Sequence, residues 1–168
     1  ERLGDVRSRA VTMGNIADIL QARGELDEAL RIRRQEQLPV YERLGDVRSR
    51  AVTMGNIADV ELQRGRVGVA RDLFEGEVLP AWMRLKDPVG IAFVSWKLGQ
   101  ILTHERKPAE ALPHVERAFQ LLSQLGHAQG VVAVGQDYVA LLQQTGATER
   151  IPDVLAVVVP LARRLGLL

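Results

Sequence analysis

The sequence predicts an all-α fold of four stacked helix pairs, on three observations. Glu1–Asp18 recurs letter for letter as Glu42–Asp59, at an offset of 41. A looser marker continues that register: Arg2-Leu3-Gly4-Asp5, Arg43-Leu44-Gly45-Asp46, Arg84-Leu85-Lys86-Asp87, Gln124-Leu125-Gly126-His127 and Leu165-Gly166, with the leucines 41, 41, 40 and 40 apart. Within a period, apolar residues return at three- and four-residue steps, as in Val6, Ala10, Met13, Ile16, Ala17 and Leu20, which is the helical spacing. Self-similarity at about 20–50 residues marks an array whose repeats bury their apolar faces against one another.

The register divides the chain into repeats 1–41, 42–82, 83–122 and 123–162 with a tail at 163–168. Together they read as a single repeat domain over 1–168. Because Glu1 opens inside a repeat motif, the chain reads as part of a longer protein. Each repeat predicts two helices, near 6–22 and 26–43, 47–63 and 67–84, 88–104 and 108–124, and 128–144 and 149–165. Asp5 and Asp46 are expected N-caps, and Asp87 followed by Pro88 is a stronger one. Gly24, Gly65 and Gly146 stand where first helices should stop in a left-handed cap residue. The second helix of the first repeat carries Leu26, Ala29, Leu30 and Ile32, matched by Val67, Ala70, Leu73 and Phe74. Pro39, Pro80 and Pro160 each stand five residues before the next marker leucine. Each loses a hydrogen bond and crowds the carbonyl four residues back, so a recurrent kink is expected there. Only Val157-Val158-Val159 resembles a strand. The helical spacing of Ile151, Val154, Leu155, Val158, Ala162 and Leu165, with Pro160 among them, argues against one.

Composition narrows the function classes. Twenty-two basic and 21 acidic residues leave a formal net charge of +1, too little for electrostatic capture by nucleic acid or an anionic membrane. No apolar run approaches the roughly 20 residues of a spanning helix. Cysteine is absent, which excludes disulfides and thiolate metal sites and fits a cytoplasmic protein. His104, His114 and His127 lack zinc-ligand spacing, and no phosphate loop or nucleophile elbow occurs. No enzyme, metal or cofactor is expected. The basic cluster Arg31, Arg33 and Arg34 is flanked by Asp27, Glu28 and Glu36, which should neutralise it. Ala156, Val157 and Leu161 are expected on an outer face of the last helix, where polar residues normally cap an array. Self-association through the array ends is the corresponding expectation.

These helix pairs resemble the tetratricopeptide repeat (TPR) family. The third repeat carries the pattern most clearly, in Leu98-Gly99, Leu102, Ala111, Val115 and Ala118. Small residues at Gly99 and Ala111 let paired helices approach. The first repeat matches with Ile16-Ala17, Leu20, Gly24 and Ala29, and the second with Ile57-Ala58, Gly65, Ala70 and Phe74. The fourth places Val139 and Ile151 at the small positions. Units this long exceed the family's usual length and are similar to the arrays of kinesin light chains and bacterial signalling proteins. The resemblance implies a right-handed α-α superhelix, a TPR-like solenoid. The extra residues lengthen the second helix by about two turns, roughly 10 Å. One departure is Glu61, standing where the first copy has Leu20: either the carboxylate is paired or the helix rotates.

The resemblance further implies that first helices line a concave groove. Asn15 and Asp18, Asn56 and Asp59, then Phe93, Trp96, Lys97 and Gln100 fall on that face, and no catalytic residue is among them. Asn15 and Asn56 stand where the family often grips a peptide backbone; an amide donates and accepts at once. Gly14 and Gly55 either open the groove or pack closely against a neighbouring helix, and Trp96, at the matching place, is either a groove wall or core. The expected function is a non-catalytic protein- or peptide-binding scaffold or sensor arm of a larger signalling protein. The alternative is an array sensing a small ligand or signalling peptide to control an attached effector such as a transcription regulator.

Overall fold

The computed structural model describes residues 3–168; Glu1 and Arg2, which open the exact repeat, lie outside it. Among the described residues there is no strand. The chain divides into two compact halves, one ending at Lys86 and the other Asp87–Leu168. Each holds two successive repeats.

In the N-terminal half, α1 (Leu3–Ala22) pairs with α2 (Leu26–Ile32), which continues through a π turn (Arg33–Gln37) into α3 (Leu38–Arg43). The second repeat copies this as α4 (Val47–Gln63), α5 (Val67–Leu73), a π turn (Phe74–Val78) and α6 (Leu79–Arg84). In the C-terminal half, α7 (Pro88–His104), α8 (Pro108–Gln124) and α9 (Ala128–Thr145) are followed by a 3-10 turn (Thr148–Arg150) and α10 (Ile151–Arg164). Helix boundaries from the repeat register agree within a few residues, and α10 runs through Val157-Val158-Val159.

The termini show why the register works. Asp46 Oδ1 accepts from the Ser49 amide at 3.0 Å and Asp87 Oδ1 from that of Gly90 at 2.9 Å. At the matching position of the fourth repeat, His127 Nδ1 accepts from the Gly130 amide at 3.0 Å. Each side chain satisfies a donor that the first helical turn leaves open. Asp5 departs from this expectation: α1 begins earlier, at Leu3, so Asp5 lies in the first turn, where its charge complements the helix dipole instead of capping. At the other end, Gly24 (φ 81°) and Gly65 (φ 76°) close α1 and α4 in the left-handed region. Their following amides return to Leu20 and Glu61 carbonyls at 2.9 Å, the six-to-one closure of a Schellman turn.

Wide helical turns occur ahead of two of the three recurrent prolines. The Leu38 amide bonds back five residues to the Arg33 carbonyl, and that of Leu79 to Phe74. These wide turns sit directly before Pro39 and Pro80. Yet α10 carries Pro160 with no π turn. Proline is therefore not the cause. Both π turns lie in the two longer repeats, 1–41 and 42–82, and the shorter repeats lack them. The stretch Leu26–Arg43 joins segments of 7, 5 and 6 residues, one more in all than the 17 of α8. A π turn is how a helix absorbs one inserted residue, and the insertion is what distinguishes the two repeat lengths.

Packing follows the small-residue positions. In the C-terminal half, Leu98 and Gly99 on α7 are buried, as are Ala111, Val115, Ala118 and Leu122 on α8. A Cβ built on Gly99 would meet Val115 Cγ2 at 2.3 Å, so α7 and α8 are as close as backbone permits. Leu141, Leu142, Val154 and Val158 extend the same core through α9 and α10. On α10 the outward apolar residues are Leu155 and Val157 with Ala156. Leu161, expected beside them, packs against the core, because helical spacing puts it one turn from Val158 and next to Ala162. In the N-terminal half, Ala17, Ala29 and Ile32 form a small core with Met13 and Leu20 against it.

Gly14 and Gly55 resolve as packing positions with unequal slack. A Cβ on Gly14 would fall 2.3 Å from the buried Gln37 amide nitrogen, whereas at Gly55 the nearest atom is Val78 Cγ1 at 3.8 Å. Glycine costs about 1 kcal/mol against alanine in a helix interior. Gly55→Ala is therefore expected to raise thermal stability by several tenths of a kcal/mol to about 1 kcal/mol. Gly14→Ala, which must displace the Gln37 amide, should gain nothing; differential scanning calorimetry of the two variants checks the contrast.

Candidate functional site

The groove-face residues named from the repeat register separate into two groups. In the N-terminal half, Asn15 is exposed on α1, and Asn56 and Asp59 are half-buried on α4. Asp18 is engaged by its own repeat: Arg33, only 1% exposed, donates to Asp18 Oδ1 at 2.5 Å and to Gln21 Oε1 at 3.2 Å. Asp18 thus pairs with a buried guanidinium, whose Nε is left without a hydrogen-bond partner. The corresponding position in the second repeat is Phe74, so the identical α1 and α4 faces rest on different second helices.

In the C-terminal half the structure brings Phe93, Trp96 and Gln100 together around a residue that the groove reading had not selected, Asp137 of α9. Trp96 Nε1 donates to Asp137 Oδ2 at 2.6 Å, and Gln100 Nε2 donates to the same oxygen at 3.1 Å. Phe93 lies 6.4 Å from the Trp96 ring and meets His127 edge-on at 5.8 Å. Trp96 is half-buried against the core, with its polar edge turned to the neighbouring first helix. Lys97 is half-buried on the same helix. The register contained the missing signal. Counting 41, 41 and 40 from Asn15 gives Asn56, Lys97 and Asp137, so Asp137 is the fourth member of the asparagine series.

Below this cluster, α7, α8 and α9 enclose a cleft of about 390 Å³, with Gln100, Thr103, His104, Asp137 and Gln144 as its polar lining and Val115, Ala140 and Leu141 as its apolar surface. Thr103 Oγ1 donates back to the Gly99 carbonyl at 2.8 Å. A second depression, about 290 Å³, lies between α8 and α10. There Arg150 pairs with Glu116 and donates to the Tyr138 hydroxyl. Burial, then the Glu116 charge, push the Tyr138 phenol above its ordinary value.

Several charges elsewhere are engaged in ion pairs. Arg31 bonds Glu28 and Glu36, and its guanidinium holds the exposed Glu28 carboxyl below the usual range. Arg34 pairs with Glu61 at 2.7 Å. Asp27, expected to offset the basic cluster, instead reaches Arg64 at 2.7 Å, because it lies on the side of α2 that faces α4. Glu61 is paired, by Arg34, Arg64 and Arg66, and α4 stays regular through it. Among the described residues no three His, Asp or Glu side chains form a group able to hold a metal, and no helix is long and apolar enough to cross a membrane.

Residues 8–75 match the family model for the tetratricopeptide repeat. No curated protein matches the sequence. Among solved structures, BtubC (BKLC) from P. vanneervenii is similar, with a TM-score of 0.80 at 16% identity over 94% of this chain; the chain spans 64% of that protein's length. A kinesin light chain-type protein of Podosopora anserina with nearly identical TPR-like repeats superposes with a TM-score of 0.69 at 16% identity, covering 94% of this chain and 77% of that one. MamA from Desulfovibrio magneticus RS-1 gives 0.53 at 16% identity, over 93% and 96%. At such identities the likeness is one of fold: an all-α, TPR-type solenoid of helix pairs.

Proposed function

We propose, from the tetratricopeptide repeats that residues 8–75 carry and the solenoid fold shared along the chain, that this protein is a non-catalytic binding arm holding an extended protein segment along its first helices. Repeats of this type generally mediate protein contacts, and the chemistry would belong to partners or attached domains. The observation that carries the reading is the Phe93–Trp96–Gln100–Asp137 cluster beside an open cleft. An indole fixed by hydrogen bond to a carboxylate on the next first helix presents a rigid aromatic surface at little entropic cost, and tryptophan is the side chain most enriched at binding hot spots. In the N-terminal half, Asn15 and Asn56 hold the matching sequence position with amides able to bond a peptide main chain. A sensor role within a larger signalling protein is the finer form of this proposal, supported by likeness to long-unit arrays.

Peptide display on the whole chain tests it, with the selected peptides then titrated against Trp96→Ala. Affinity is expected to fall by at least about tenfold, the effect of losing a hot spot of about 1.4 kcal/mol or more, while far-ultraviolet circular dichroism is unchanged. Unchanged affinity, or selection of no peptide at all, would count against the binding-arm reading.

A further inference from the structure

The cleft between α7 and α9 has a chemistry narrower than general peptide binding, and the specificity inferred for it rests on the binding-arm reading. Asp137 Oδ2 receives both the Trp96 indole and the Gln100 amide. Both donors are neutral, so they fix the carboxylate in place without cancelling its charge. Both bonds fall on the one oxygen, which leaves Oδ1 for a ligand, and no lysine or arginine lines the cleft. A half-buried carboxylate held this way retains demand for a cation.

We infer that the cleft seats a lysine side chain of the bound segment, its ammonium on Asp137 Oδ1. Val115, Ala140 and Leu141 give the methylene stem an apolar surface, as long cationic side chains require when the head is held polar. Gln100, Thr103 and Gln144 bring further oxygens to the lining. The Thr103 hydroxyl spends its proton on Gly99, so it faces a ligand as an acceptor. One open carboxylate oxygen among scattered amide and hydroxyl acceptors suits the three donors of an ammonium. A guanidinium fork prefers two free oxygens of one carboxylate.

The test uses the whole chain labelled with 15N and two probes, Nα-acetyl-lysine methylamide and the same compound acetylated on Nε. The chain has 2 tryptophans, so their indole signals report separately. The lysine probe is expected to move the Trp96 signal and leave Trp82 unmoved. The Nε-acetylated probe should bind at least about fivefold more weakly, as loss of a charge-assisted hydrogen bond implies. Asp137→Asn keeps an acceptor for Trp96 and Gln100 while removing the charge, and should weaken the lysine probe by a similar factor. Equal binding of both probes, or an unaffected Asp137→Asn variant, overturns the inference. So does peptide display that enriches segments with no fixed basic residue or with arginine there, results that leave the binding-arm reading standing. Display that enriches nothing defeats that reading, while the lysine titration still decides this one.

Discussion

Gly99→Ala is expected to destabilise the C-terminal half by about 2 kcal/mol, a fall in melting temperature of about 4–8 °C. The new methyl would stand 2.3 Å from Val115 Cγ2 and 3.5 Å from the Ala111 carbonyl oxygen. Val115 is fully buried and β-branched, so it has one comfortable rotamer in a helix and nowhere to turn. Retreat of α7 from α8 would open the contacts of Leu98 and Leu102, buried on the same helix. Overpacking of this kind costs about 1–3 kcal/mol, against which alanine returns at most about 1 kcal/mol of helix propensity. Adding Val115→Ala removes the obstructing methyl and should make the two changes non-additive, the double variant losing less than the sum. Calorimetry of the three variants measures this; simple additivity would mean that the helix spacing is not set at Gly99.

The fold was legible because every element boundary is written twice or more. Capping residues and left-handed turns recur at fixed offsets, so Asp46, Asp87, Gly24 and Gly65 each confirmed the others. The one-residue difference between repeat lengths was equally visible, but its meaning was not. An insertion can be looped out at a turn or taken up inside a helix, and only backbone hydrogen bonding to Arg33 and Phe74 tells which. The candidate site was half legible. Phe93, Trp96 and Gln100 follow from the position of first-helix faces. Asp137 was hidden because the series Asn15, Asn56, Lys97, Asp137 changes its chemistry in the later repeats, and a search for shared residues passes over such a position. Gly14 left two readings open for a related reason: the space beside it is taken by Gln37, a residue that no first-helix pattern mentions.

Arg34→Ala is expected to cost about 2 kcal/mol, whereas Glu61→Leu should change stability by less than about 1 kcal/mol in either direction. Glu61 is 1% exposed at its side chain, with Arg34 at 2.7 Å on Oε1 and Arg64 at 3.4 Å on Oε2. Taking away Arg34 strands one buried carboxylate oxygen, and the remaining arginines offset only part of that penalty. Leucine at the same place needs no partner, and the three arginines left behind are partly exposed, so water can take over their donors. The matching position of repeat one is itself a leucine, Leu20, packed against the small core of that repeat. The double variant Arg34→Ala, Glu61→Leu should then resemble Glu61→Leu alone, and urea unfolding of all four proteins closes the cycle. A Glu61→Leu loss as large as that of Arg34→Ala would show that the ion cluster itself stabilises the array. Otherwise its use is order. α1 and α4 are identical from Val6 and Val47 through Asp18 and Asp59, so their shared faces cannot tell one repeat from the next. Arg34 can: a second copy of repeat one would offer it Leu20, and repeat two presents Glu75 where Arg34 stands. The contact Arg34–Glu61 fits only the native succession, whereas Asp27–Arg64 does not discriminate, since repeat one carries Arg23 at the matching place; a buried charge that adds little stability is retained where a misordered neighbour would leave it unpaired.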